Sequence, residues 1–156
     1  MRAVVQRAAG ASVSVDGVVI GGFAGPGLLV LVGVTHGDTA EQAERLADKL
    51  YGLRIFEHRH ASGQACLPPG ASREVSAQDL GLPVLVISQF TLYADTRKGR
   101  RPTWDSAAPG PVAEPLVDQV VAALRARGAQ VSTGRFGADM QVSFTNDGPI
   151  TISLET

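Results

Sequence analysis

An unbroken run of apolar and glycine residues, 28–34, constrains the fold of this chain more than any other feature. A half-buried strand alternates apolar and polar side chains, whereas a run without polar positions fits a strand buried on both faces. The run therefore predicts a central strand with other layers on either side. A second strongly apolar run, residues 84–92, turns polar from Ser88 onward. Its polar end is the expected position for chemistry.

Shorter β-prone segments predict the rest of a sheet. Residues 12–15 and 18–20 flank Asp16-Gly17, and this dipeptide suits the positive φ angles of a two-residue hairpin turn. The polar, Gly- and Pro-rich segment 57–80 is expected to cross the surface as a long loop. Seven or eight strands are expected in all, the others lying at residues 2–7, 130–133, 140–144 and 150–154.

Two amphipathic helices complete the predicted fold. Thr39 precedes Gln42 at capping-box spacing, and apolar residues then recur at helical spacing, which predicts a helix over residues 39–52. Apolar positions from Leu116 to Leu124 predict a second helix that ends near Gly128. The expected architecture is one layered α/β domain over residues 1–156, with a mixed, largely antiparallel β-sheet and two main helices.

The composition excludes several classes of protein. A chain of 156 residues with 44% hydrophobic content can bury one core without disulfides or metal. Cys66 is the single cysteine, so no internal disulfide is possible and a reducing compartment is favoured. No apolar segment approaches the roughly 20 residues that span a bilayer, and the N-terminal stretch is too short for a signal peptide. We expect a cytoplasmic protein without membrane association.

The formal net charge of -1 argues against a protein that coats nucleic acid, although a local basic patch can still engage one end of an RNA. Such a patch follows the second apolar run, and Trp104 stands after it with an aromatic face. This combination suits the phosphates and bases of a single-stranded RNA end. A solvated charge run explains the same pattern, and the sequence leaves both open. The four cations are Arg97, Lys98, Arg100 and Arg101.

His36, His58 and His60 are the candidates for metal binding or acid–base catalysis. Three histidines can hold zinc, but no carboxylate or cysteine completes a recognised ligand spacing, so solvated loop histidines are favoured. Cys66 has no neighbouring base, which favours an inert thiol over a nucleophile. The chain also lacks a Gly-x-Ser-x-Gly elbow and a phosphate-binding Gly-rich loop. No metal or cofactor is expected.

Two polar motifs remain. Ser88-Gln89-Phe90-Thr91-Leu92 ends a predicted buried strand, and it can line a pocket or simply leave the core. Asn146-Asp147-Gly148-Pro149-Ile150-Thr151 places a Gly-Pro bond between two predicted strands. X-Pro bonds are cis in about 5–6% of folded cases, usually at tight turns, so an ordinary turn is the alternative to a functional cis bond.

With these two motifs the sequence resembles the D-aminoacyl-tRNA deacylase family. Further matching blocks follow in family order at residues 6–7, 27–34, 54–56, 101–102 and 134–142, so the resemblance covers essentially the whole chain. It implies a fold of β/β/α layers and a homodimeric editing enzyme. The implied reaction is hydrolysis of the ester that joins a D-amino acid, or glycine mischarged on the alanine tRNA, to the 3′ end of tRNA.

The resemblance also implies how L-amino acids are rejected. The Gly148-Pro149 bond is expected to be cis and to enter the active site of the partner subunit, held by Arg7, with Met140 in the substrate site. Its two carbonyl oxygens then accept hydrogen bonds from the substrate ammonium, so that an L side chain meets backbone and a D side chain points outward. In a related branch of the family, a trans bond accompanies greater tolerance of L-amino acids.

Ser88, Gln89, Phe90 and Thr91 form the implied catalytic segment. No residue of the motif is placed as a base for Thr91, and an unactivated threonine is a poor nucleophile. We expect the segment to position the ester and to stabilise the oxyanion through backbone N–H groups. Water is then the attacking group, helped by the terminal ribose 2′-hydroxyl.

One segment departs from the family pattern, and two rival functions remain. Many members have an acidic residue and then Gly-Lys-Met-Asn where this chain has residues 57–66, so a rearranged surface loop is expected there. The first rival is a non-catalytic module that binds RNA ends, which would turn over no ester. The second is a dimeric hydrolase or binder of small D-amino acid derivatives, which would act without the adenosine end.

Overall fold

The computed structural model describes residues 1–61 and 74–156. The strands are β1 (Arg2–Val15), β2 (Val18–Gly33), β3 (Arg54–Glu57), β4 (Glu74–Ser76), β5 (Val84–Ser88), β6 (Val131–Thr133) and β7 (Gln141–Glu155). The α-helices are α1 (Ala40–Gly52), α2 (Ala77–Leu80) and α3 (Gly110–Ala126), and short 3-10 turns cover His58–His60 and Phe90–Tyr93.

Five strands form one mixed sheet in the order β6-β5-β2-β1-β7. β1 pairs antiparallel with β2 and β7, whereas β5 pairs parallel with β2 and β6. β3 and β4 form a separate two-stranded antiparallel sheet. The predicted mixed, layered α/β architecture is therefore confirmed.

The hairpin between β1 and β2 is longer than the sequence indicated. Asp16 and Gly17 have φ angles of 52° and 78°, as the predicted two-residue turn requires. The segment Gly25-Pro26-Gly27, which stands in the sequence between two β-prone runs, continues the ladder opposite β1. β2 therefore contains the central run, which is buried at nearly every position from Leu28 to Gly33.

Helices α1 and α3 cover one face of the main sheet. Thr39 and Gln42 form the predicted capping box, and α1 begins at Ala40 as expected to within a residue. Leu28 and Val30 belong to the large core cluster under these helices, whereas Leu29 belongs to a smaller cluster. Because successive side chains of a strand point to opposite faces, the smaller cluster lies on the other side of the sheet.

The predicted surface loop over residues 57–80 is wrong at its C-terminal end. β4 pairs with β3, and α2 follows it directly. Val75, Ser76 and Ala77 are buried, but three positions are too few to give a recognisable period. Cys66 and the rest of residues 62–73 lie outside the described residues. Within the described ranges, no helix is long and apolar enough to cross a membrane.

Candidate functional site

A pocket of about 500 Å³ lies at the carboxyl ends of β2 and β5. These strands run parallel, so their ends meet at one edge of the sheet, the usual position for ligands in such sheets. Its volume suits a small ligand or the end of a larger one. The lining includes apolar residues of the strands and α3, the residues at and after the end of β5, and two residues just before β7. These are Val32, Val34, Ile87, Ser88, Gln89, Phe90, Ala113, Val117, Asp139 and Met140.

An aromatic pair, Phe90 and Trp104, stands at the edge of the pocket. The Phe90 side chain is 56% exposed and that of Trp104 is 40% exposed. Their rings meet edge to face, with centroids 5.2 Å apart and planes at 76°. Exposed aromatic faces can stack a nucleobase. The structure thus brings Trp104 next to the polar motif that begins at Ser88.

The backbone changes direction after Ser88. The Gln89 N–H donates to the Val32 carbonyl at 2.7 Å, which ties the end of β5 to β2. The predicted strand over residues 84–92 ends here, and Phe90–Tyr93 forms a 3-10 turn. The first N–H groups of a helical turn have no partner within it, so those of Phe90 and Thr91 are candidate donors to an oxyanion.

Thr91 differs from the other residues of the predicted catalytic segment. Ser88, Gln89 and Phe90 line the pocket, but Thr91 does not. Its hydroxyl oxygen accepts a hydrogen bond from the Gln89 side-chain amide. Among the described residues, no histidine or carboxylate is hydrogen-bonded to this hydroxyl, so nothing there activates it as a nucleophile.

Residues 96–102 form a basic loop next to the aromatic pair. Asp95 and Thr103 close its base by exchanging backbone hydrogen bonds of 2.9 and 3.0 Å. The Arg97 guanidinium pairs with the Asp95 carboxylate at 2.6 Å, and its hydrogen bonds lower the pKa of Asp95 to about 2. The exposed cations of the loop are Arg97, Lys98, Arg100 and Arg101.

β7 bulges where it passes β1. Gln6 pairs with Thr151 and Ala8 pairs with Asn146, so the four residues from Asp147 to Ile150 stand opposite Arg7 alone. We call these residues the 147–150 bulge. Gly148 and Pro149 in this bulge are exposed. The two strands expected at residues 140–144 and 150–154 are therefore one edge strand with a protruding loop.

Polar side chains hold the 147–150 bulge at both ends. Arg7 is buried, and its Nε donates to the Asp147 carbonyl at 3.1 Å and pairs with the Asp147 carboxylate at 3.1 Å. Arg7 Nη1 also donates to the Ile55 carbonyl at 2.6 Å. Asn146 closes the other end, because its amide exchanges hydrogen bonds of 2.9 and 3.0 Å with the backbone N–H and carbonyl of Ile150.

The Gly148-Pro149 bond is trans, as are all peptide bonds of the described residues, so the expected cis bond is not found. The trans isomer is favoured by about 0.5–1 kcal/mol in an X-Pro bond. Gly148 has a φ of 120°, a value that favours glycine, and the chain changes direction there without a cis bond. A Cβ at Gly148 would lie 2.5 Å from Arg7 Nη2, so a side chain at this position requires the Arg7 guanidinium to shift.

The 147–150 bulge and the pocket are separate within one chain. Arg7 pairs with Leu28 at the start of the parallel part of β2, whereas the pocket begins further along, at Val32. No residue of the 147–150 bulge lines this pocket. Met140, which we expected in the substrate site, lines the pocket. The predicted site residues thus fall into two groups at opposite ends of the central strands.

The three histidines do not form a site. Within the described part of the chain, no three His, Cys, Asp or Glu side chains are close enough together to hold a metal ion. His36 is exposed, and its Nε2 lies 2.9 Å from the Asp105 carbonyl. His60 is buried, and its Nε2 lies 3.1 Å from a carboxylate oxygen of Asp147. The expectation of a solvated loop histidine is therefore wrong for His60.

Sequence analysis missed two contributors to the 147–150 bulge. Asn before Asp-Gly-Pro is a turn signal, and it marked the position of the turn but not the closing role of the Asn146 side chain. For His60 the sequence offers no signal, because its partner Asp147 is 87 residues away along the chain.

Comparisons with known proteins place this chain among tRNA deacylases. The family described as D-Tyr-tRNA(Tyr) deacylase matches residues 4–155. A D-aminoacyl-tRNA deacylase of Streptomyces coelicolor is 61% identical, and one of Thermobifida fusca is 59% identical; each alignment covers 99% of both chains.

Two solved structures share the fold. A structure titled c-Myc DNA Unwinding Element Binding Protein has a TM-score of 0.85 and 37% identity, and the match covers 100% of this chain and 99% of that one. A probable eukaryotic D-amino acid tRNA deacylase has a TM-score of 0.78, with 98% and 97% of the two chains covered. At 19% identity, the second comparison bears on the fold alone.

Proposed function

This chain belongs to the D-Tyr-tRNA(Tyr) deacylase family, and on that premise we propose that it hydrolyses the ester joining a D-amino acid to the 3′ end of tRNA. The observation that carries the proposal is the pocket at the ends of β2 and β5, which combines an apolar wall with the polar segment from Ser88. An ester needs such a site, because its carbonyl must be held while a nucleophile approaches and charge develops on the oxygen.

The proposed reaction uses water as the nucleophile. The N–H groups of Phe90 and Thr91 stabilise the oxyanion, and Ser88 and Gln89 position the ester from the pocket wall. Thr91 does not form a covalent intermediate, since its hydroxyl accepts from Gln89 and has no base. The terminal ribose 2′-hydroxyl of the substrate lies next to the ester and assists the attack.

Selectivity for the D-ester comes from a second copy of the chain. The 147–150 bulge lies away from the pocket of its own chain, protrudes from an edge strand and exposes Gly148 and Pro149. In a homodimer it enters the pocket of the partner, where its fixed backbone meets an L side chain. A D side chain points outward, and glycine fits either way, so glycyl-tRNA mischarged on the alanine tRNA is a second substrate. Because a trans bond accompanies greater tolerance of L-amino acids in a related branch of the family, the D-to-L ratio of deacylation measures how far the trans Gly148-Pro149 backbone rejects an L side chain.

The tRNA end binds at the aromatic pair and the basic loop. Phe90 and Trp104 offer exposed ring faces beside the pocket, suited to a terminal base. The exposed cations of residues 96–102 suit its phosphates. Replacing Lys98, Arg100 and Arg101 by alanine should weaken tRNA binding and flatten its salt dependence, and an unchanged salt slope would make the loop a solvated charge run.

The first test compares deacylation of matched D-tyrosyl-tRNA and L-tyrosyl-tRNA by the purified protein, with chelator present. We expect rapid loss of the D-ester alone. The chelator should have no effect, because neither a metal nor a cofactor takes part in the proposed reaction. Binding of tRNA without loss of either ester would instead support the RNA-end binding module. Cleavage of a simple D-tyrosine ester at the same rate as D-tyrosyl-tRNA would support the small-molecule hydrolase.

A second test asks whether the bulge acts across subunits. A pocket variant, Phe90→Ala with Gln89→Ala, is mixed with a bulge variant, Gly148→Ala, and the subunits are exchanged. If the bulge acts in trans, the mixed dimer has one intact site, made from the pocket of the second variant and the bulge of the first. D-selective deacylation should then return on mixing. Activity equal to the sum of the separate variants would contradict the cross-subunit site.

A further inference from the structure

His60 occupies an unusual position for a histidine in a divergent surface segment. It ends the 3-10 turn after β3 and is only 7% exposed. Its ring packs edge to face on Phe56, a fully buried core residue, with centroids 5.5 Å apart. Its Nε2 lies 3.1 Å from Asp147 Oδ2. The ring therefore links the hydrophobic core to the first residue of the 147–150 bulge.

Hydrogen bonds fix the orientation of the His60 ring. The Glu57 N–H lies 2.8 Å from Nδ1, so Nδ1 accepts and the proton of the neutral ring is on Nε2. In this tautomer, Nε2–H donates to Asp147 Oδ2.

The Asp147 carboxylate has partners from two different parts of the chain. Arg7 Nε, from β1, and His60 Nε2, from the turn after β3, both lie 3.1 Å from its Oδ2. The ion pair with Arg7 and the hydrogen bond with His60 together restrict rotation of the Asp147 side chain, and with it the backbone that leads into Gly148. Without His60, the contacts of Asp147 with Arg7 remain, namely the ion pair at the carboxylate and the hydrogen bond at the carbonyl.

We propose that His60 is a positioning residue for ester selectivity, which holds the Gly148-Pro149 backbone in place through Asp147. The inference rests on the proposed role of the 147–150 bulge. His60 touches no substrate in this role, since it acts through Asp147 on a backbone wall.

The test measures the ratio of kcat/KM for D-tyrosyl-tRNA to kcat/KM for L-tyrosyl-tRNA. This ratio separates positioning from stability, because a smaller folded fraction lowers both values equally. His60→Ala should lower the ratio by about tenfold, as expected for one lost hydrogen bond to a charged group. His60→Gln keeps an N–H donor near the position of Nε2 and should restore most of the ratio.

The matched control is Arg59→Ala, in the same 3-10 turn. Arg59 is exposed and, among the described residues, pairs with the exposed side chain of Glu57 at 3.0 Å, so its removal should leave the ratio unchanged. An unchanged ratio in His60→Ala would overturn the proposal, as would failure of His60→Gln to restore it. Gly148→Ala, which places a Cβ against Arg7, is the reference for the bulge itself. If neither Gly148→Ala nor His60→Ala changes the ratio, the proposed role of the bulge is wrong. If Gly148→Ala changes the ratio and His60→Ala does not, only the role of His60 is wrong.

Discussion

The pocket and the 147–150 bulge serve one proposed reaction but are held in place by different forces. The pocket is held in place by buried apolar residues, such as Val32 and Ile87, and by backbone hydrogen bonds such as that from Gln89 to Val32. The bulge is held in place by polar side chains from distant parts of the chain, among them Arg7 and His60, which contact Asp147.

This difference determines how each region responds to substitution. An apolar wall tolerates exchanges that conserve volume, because packing is spread over many contacts. A polar network depends on each partner, because a buried donor or acceptor that loses its partner retains the cost of desolvation. We therefore expect changes in the pocket to alter the rate for both esters, and changes in the bulge network to alter stability and selectivity.

Arg7→Ala should have the largest effect. The substitution removes the buried partner of Asp147 and leaves two carbonyl groups without this donor. Loss of one member of a buried ion pair costs about 3–5 kcal/mol, so we expect a fall in the free energy of unfolding near the lower figure, since Asp147 is partly exposed. Urea unfolding measures the change. Arg45→Ala, which breaks an exposed pair with Glu41, should change it by less than about 0.5 kcal/mol.

Asn146→Ala should destabilise less, by about 2 kcal/mol, because it removes two neutral hydrogen bonds to Ile150. The same variant should lower the D-to-L ratio of kcat/KM. Thr145→Ala is the neighbouring control, because Thr145 is exposed and its substitution should leave the ratio unaltered. A normal ratio with reduced stability would mean that closure of the bulge by Asn146 is unrelated to selectivity.

Ala113→Leu tests the pocket. Ala113 lies on α3, lines the pocket and is almost fully buried, so a larger side chain occupies ligand space. We expect kcat/KM to fall by about tenfold for both esters, with their ratio preserved. Ala122→Leu, at an exposed position of the same helix, controls for the effect of leucine on α3. A selective loss for one ester would break the proposed division between the two regions.

Thr91→Ala should have the smallest effect, a fall in kcat of less than about tenfold. Its hydroxyl lies outside the pocket lining, while its backbone N–H remains after the substitution. Single-turnover deacylation of D-tyrosyl-tRNA measures the change. A loss of several thousandfold, recovered by Thr91→Ser, would show that the hydroxyl is the nucleophile after all.

Much of the fold follows from local patterns in the sequence. The central strand, the Asp16-Gly17 turn and the capping box of α1 were predicted, because each depends on neighbouring residues. The polar end of β5 was likewise predicted to hold site residues, and Ser88 to Phe90 line the pocket.

The features that were not predicted depend on contacts between distant segments. β7 continues through Gly148-Pro149 because Arg7 and Asn146 stabilise a bulge there, and local propensity favours a break at the same residues. His60 was expected in solvent because its segment is polar, yet Phe56 and Asp147 bury it. A pairing over such distances leaves no period in the sequence.

The position of the bulge within β7 also limits aggregation. An exposed edge strand offers unpaired N–H and C=O groups to strands of other chains, and a strand of 15 residues is a long template. Four consecutive residues out of register interrupt that template near its middle. The opposite edge, β6, has only three residues. Neither end of the sheet therefore provides a long, regular edge for fibril growth, and straightening the bulge would remove this protection from the longer edge.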